Sequence, residues 1–103
     1  MKRIALLCLL MAAGWTAQAA TPEEAMTKAG CVACHAKDHK IVGPAFKDIA
    51  AKYTGDKTAP AKLAAKVRAG GSGVWGPIPM PANGPDKITD DDLKAVIESI
   101  LKA

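Results

Sequence analysis

The chain has 103 residues, half of them apolar, with 14 basic and 10 acidic side chains and a formal net charge of +4. That length allows one small domain and excludes a multidomain machine, while the apolar half excludes a disordered polymer. Residues 21–103 carry 12 basic and 10 acidic side chains, a balance of +2 that argues against a nucleic-acid partner, which would call for a strongly basic patch.

Met1, Lys2 and Arg3 form a short positive start, and Ile4 to Ala13 is an unbroken apolar run. Ala17-Gln18-Ala19 then offers small residues at both recognition positions of a signal peptidase. Residues 1–20 are therefore expected to be a secretory signal peptide, cleaved after Ala19 or Ala20, with a single domain over 21–103. The competing reading is a retained anchor, because no charge falls between Ile4 and Pro22. The apolar run is ten residues long, however, and a spanning helix needs roughly 20. No stable membrane insertion is expected. Export removes Cys8, leaving Cys31 and Cys34, and losing Lys2 and Arg3 takes the net charge from +4 to +2.

Thr21-Pro22-Glu23-Glu24 opens a first helix. Thr21 caps the free amides, Pro22 sits where its missing donor costs nothing, and Glu24 completes a capping box. This helix should run from Pro22 to Ala29 and end at Gly30. A second short helical pattern covers Pro44 to Tyr53, with Phe46, Ile49 and Ala50 on one face. A third, Ala59 to Ala69, carries Leu63, Ala64 and Val67 and stops at Gly70-Gly71. From Gly70 to Lys87 the density of glycine and proline predicts a long irregular loop, a length that usually signals function. Thr89 then caps a last helix with Asp90, Asp91 and Asp92 at its positive end. Leu93, Val96, Ile97, Ile100 and Leu101 form its apolar stripe. The pattern holds no strand alternation, so the expected fold class is all-α.

Cys31-Val32-Ala33-Cys34-His35 is the most specific string, the attachment signature of c-type haem. Both thiols add across the porphyrin vinyl groups, and the histidine that follows becomes an axial ligand. Two rivals use similar residues. A dithiol oxidoreductase wants its cysteines opening a helix within a β-α-β unit. Zinc would add His39 to His35, but four ligands within nine residues are too crowded to close a loop around the metal.

A haem iron needs a second ligand from a distant segment. His39 lies about one helical turn from His35 and starts on the same side, so it reads as a solvated histidine among Lys37, Asp38 and Lys40. Met26 falls on the apolar face of the first helix and reads as core. Met80 lies in Pro77-Ile78-Pro79-Met80-Pro81, where prolines fix the backbone and reduce the entropy lost in presenting the sulfur. His35 and Met80 are thus the expected metal ligands. One Phe and one Tyr, with Trp75, are the aromatic residues of the mature chain, so the haem should fill much of the core.

These strings, with Val42-Gly43-Pro44-Ala45-Phe46-Lys47-Asp48 and Gly73-Val74-Trp75-Gly76-Pro77-Ile78-Pro79-Met80-Pro81, resemble the class I bacterial cytochromes c of the c-551 (c8) group. The likeness covers essentially all of 21–103 and implies about four helices wrapped around one covalent haem c. It further implies that the Pro44 carbonyl accepts a hydrogen bond from the His35 imidazole, the kind of contact that orients axial ligands. Trp75 matches an indole that donates to a haem propionate, and Asn83 an amide placed near the Met80 sulfur. Lys66 falls where relatives often carry a longer or titratable cation beside a propionate. A lysine offers no bidentate fork there, and a solvated helix position is its competing reading. Phe46 stands where relatives often have tyrosine, so a hydroxyl contact is missing.

Two axial ligands leave no open position, so a non-enzymatic one-electron carrier is expected rather than catalysis at the metal. The resemblance implies a soluble periplasmic monomer working with redox proteins. Its donor would be a membrane quinol-oxidising cytochrome complex, and its acceptor a nitrite reductase or terminal oxidase. The alternative is a haem-based ligand sensor or peroxidase-like enzyme with a labile Met80.

Overall fold

The computed structural model describes residues 20–103; apart from Ala20, the expected signal peptide lies outside the described residues. Helix α1 (Pro22–Ala29) begins where the sequence places it, because Thr21 Oγ1 accepts from the Glu24 N–H at 3.2 Å. It ends at Gly30, whose φ of 85° is the left-handed conformation glycine adopts without strain. A single 3-10 turn, Cys31–Ala33, follows at once. The second helix, α2 (Phe46–Lys52), starts two residues later than the pattern suggests. Ala45 is extended, at φ −61° and ψ 145°. The chain before α2 is instead tied to the cysteine loop, with the Phe46 N–H on Ala36 O and the Lys47 N–H on Lys37 O.

Helix α3 (Ala59–Ala69) has the expected bounds. Ahead of it, Asp56 Oδ1 accepts from the Thr58 N–H (2.8 Å) and hydroxyl (2.6 Å), and Oδ2 accepts from Lys62 Nζ at 3.1 Å. The Thr58 bonds first, and then Lys62, hold the Asp56 carboxyl down at about 2. Helix α4 (Asp90–Leu101) is capped by Thr89, whose hydroxyl accepts from the Asp92 N–H. It packs against α1, α2 and α3. Leu93, Val96, Ile97 and Ile100 meet Met26, Phe46, Ile49 and Ile88 to form the core. Met26 is therefore a packing residue, as its helix face implies.

The loop reading of Gly70 to Lys87 needs correction. Strands β1 (Gly71–Gly73) and β2 (Gly76–Met80) pair antiparallel around a Val74-Trp75 turn. Gly71, Gly73 and Gly76 all have positive φ, between 107° and 123°, so the glycines build the hairpin. In a sheet of only two strands both are edges, and prolines at alternate positions 77 and 79 leave one edge without donors. Periodicity could not reveal it, since a hairpin with most of its residues exposed has no apolar-polar alternation.

Gly70 joins α3 to this hairpin with φ 68° and ψ −155°. A Cβ there would lie 2.5 Å from Met80 O and 2.7 Å from the Ala82 nitrogen. Backbone strain alone is worth about 1–3 kcal/mol, and one kcal/mol moves Tm by about 4–8 °C in a domain of this size. Gly70→Ala should therefore lower Tm clearly more than Gly55→Ala, whose positive φ faces open space. Equal losses in thermal unfolding would refute the close approach.

Candidate functional site

The cysteine loop, α3, the hairpin and α4 surround a cavity that opens to solvent and is lined mainly by apolar side chains. Cys31, Cys34, His35 and Met80 all line it, joined by Lys66 and Trp75. Its floor is aliphatic, with Leu63 and Val67 of α3 and Leu93 and Ile97 of α4.

His35 is the most tightly specified of these side chains. Its Nδ1 lies 2.7 Å from Pro44 O, and because a carbonyl only accepts, Nδ1 carries the proton. With Nδ1 so engaged, Nε2 is the ring nitrogen left to offer a lone pair to a metal. Phe46 stacks on the ring at 5.4 Å between centroids and 20° between planes. Gly43 closes the arrangement, for a Cβ there would fall 2.5 Å from His35 Cε1. Cys34 O accepts from the N–H groups of Val42 and Gly43, which draws this loop onto the cysteine segment. The Pro44 contact expected from the resemblance is thus present in the geometry. Gly43 and the stacking of Phe46 were not anticipated, although a glycine directly before Pro44 was a visible signal of close approach.

Met80 ends β2, opposite Gly71 in the hairpin register. Trp75 sits at the hairpin tip, 41% exposed, with Lys52 Nζ 5.7 Å from its ring centroid and 6.0 Å from that of Tyr53. This cation links the end of α2 to the hairpin, at a distance where attraction to an aromatic face is appreciable. Lys66 borders the cavity beside Gly71. Asn83 is buried and does not line the cavity; its amide donates to Pro81 O at 3.1 Å and to Val67 O at 3.4 Å. His39 is exposed and also lies away from the cavity.

The donor set fits haem c and neither rival. Burial pushes the Cys31 thiol above its ordinary value, against a backbone hydrogen bond that lowers it, and nearby Cys34 adds to the rise. A dithiol catalyst needs the opposite, a thiol lowered by cations or a helix start. Zinc finds no cage either: among the described residues no three His, Cys, Asp or Glu side chains cluster as metal ligands. Two thiols, an imidazole with a free Nε2 and a thioether around one apolar cavity are the chemistry a covalent haem requires.

Comparison with known proteins agrees. The cytochrome c family model matches residues 19–103. Cytochrome c-551 of Pseudomonas aeruginosa is 47% identical, over 98% of this chain and 97% of its own. Cytochrome c-552 of Hydrogenobacter thermophilus is 43% identical over the same shares. The crystal structure of Nitrosomonas europaea cytochrome c552 superposes with a TM-score of 0.71 at 48% identity, covering 78% of this chain and 96% of that one. From these matches and the helical fold, the chain belongs to the cytochrome c family, as a small class I cytochrome c with covalently attached haem c that serves as an electron carrier.

Proposed function

We propose that residues 21–103 form a soluble periplasmic electron carrier, with haem c bonded to Cys31 and Cys34 and its iron held by His35 and Met80. The observation that carries this reading is the meeting of all four side chains, from two distant segments, at one apolar cavity. When bound, the haem supplies an iron that gains and loses one electron. The protein does the rest. Pro44 fixes the tautomer and orientation of His35, the proline-flanked strand presents the Met80 sulfur, and Trp75 and Lys66, which both line the cavity, would serve as partners for the propionates.

Residues 1–20 act as the export signal, and among the described residues no helix is long and apolar enough to cross a membrane. Two axial side chains leave no site for substrate, which supports carriage over catalysis. The redox partners are a membrane quinol-oxidising cytochrome complex as donor and a nitrite reductase or terminal oxidase as acceptor. Val32 and Ile78, 49% and 60% exposed, offer them an apolar approach.

Carbon monoxide separates this reading from a sensor with a labile Met80. The reduced holoprotein should bind almost none, read as an unchanged visible spectrum. Ready uptake would overturn the carrier.

A further inference from the structure

The segment from Pro81 to Thr89 has no regular structure, yet it directly follows Met80 and must stay in place for the sulfur to do so. It is held by the last turn of α3. Asn83 N–H donates to Val67 O at 3.0 Å. Arg68, the next residue, reaches the same segment twice: Nη1 donates to Asn83 O at 3.2 Å and to Ile88 O at 2.7 Å. Its Nη2 meets Asp90 Oδ1 at 2.6 Å, at the start of α4. Among the described residues, Arg68 is the one side chain from outside the segment that hydrogen-bonds to it.

The three contacts differ in weight. Asp90 is 92% exposed while Arg68 is 22% exposed, so water screens the ion pair and it contributes little. The bonds to carbonyls pair a charged donor with main-chain acceptors, and such bonds are stronger than neutral ones. A planar guanidinium presents its donors in a rigid fork, a geometry that an ammonium's rotating donors cannot copy.

We propose that Arg68 is a positioning residue for Met80: its guanidinium fastens the segment after the ligand strand to α3 and so limits how readily Met80 gives way to a foreign ligand. The proposal rests on the reading of Met80 as an axial ligand. Losing a hydrogen bond to a charged group typically shifts an equilibrium by about tenfold or more.

The test adds imidazole to the ferric holoprotein and follows its uptake, the sulfur-to-iron absorption feature and Tm in four proteins. These are the parent, Arg68→Met, Arg68→Lys and Asp56→Ala, the last loosening the opposite end of the same helix. Arg68→Met should bind imidazole about tenfold more tightly or better, and Arg68→Lys should fall between it and the parent. Asp56→Ala should bind as the parent does, even if its Tm drops as far. Parent-like affinity in Arg68→Met, or an equal gain in Asp56→Ala, overturns the proposal. If Arg68→Met does not accumulate as a haem protein, parent-like affinity in Arg68→Lys overturns it instead. A parent lacking the sulfur-to-iron feature would overturn Met80 ligation and this proposal together.

Discussion

Replacing both Cys31 and Cys34 with alanine should yield a chain that holds no covalent haem and is largely unfolded. The reason lies in the core. Small domains rarely gain more than about 3–5 kcal/mol from a single hydrophobic core without a staple. Here α4 packs its inner face on α1 and α2, yet Leu93 and Ile97 also border the cavity, together with Leu63 and Val67. Those side chains would bury their apolar surface against the cofactor, so binding free energy and folding free energy would be one quantity. His35→Ala should fail less completely, since the thioethers can still form while the contacts to Pro44 and Phe46 are lost. Far-UV circular dichroism of the haem-free chain decides the matter: helical content close to that of the holoprotein would sink the claim.

Substituting Met80 by histidine should retain the haem but lower the reduction potential strongly. Thioether sulfur is a soft ligand that favours ferrous iron, whereas a second imidazole does not. Axial ligands together span roughly 0.8 V, and this exchange should take a substantial part of that range. Met26→Leu is the matched control. Met26 is buried in the core and does not line the cavity, so the potential should hardly move. Voltammetry of both variants tests the assignment; a large shift in Met26→Leu, or none in Met80→His, would reverse it.

Much of this architecture can be read from local chemistry. Helices α1 and α3 match their expected bounds because each has proline in its first turn and glycine after its last residue. Met26 and Met80 also separate cleanly, one by helical periodicity and one by flanking prolines. The start of α2 was less legible, because Pro44 and Ala45 stay outside the helix while Pro44 O meets His35, a demand made by a residue in another segment. The hairpin was hidden for a different reason: it is two exposed edges shaped by glycine φ angles, and no burial pattern records them. Nothing in the sequence sets Arg68 apart from other basic residues in the last turn of a helix. Its acceptors at Asn83 and Ile88 are main-chain carbonyls, which every residue possesses and which therefore leave no mark in a sequence.

The same anonymity gives the His35 contact a kind of mutational robustness. The acceptor at position 44 is a backbone oxygen, so no change of side chain there deletes it. Drift at 44 can disturb the path of the chain but cannot remove the partner. Position 43 carries the opposite burden. Every residue other than glycine adds a Cβ, and the imidazole already fills that space. Over generations the orientation of His35 should thus be protected by one neighbour that can vary and one that cannot.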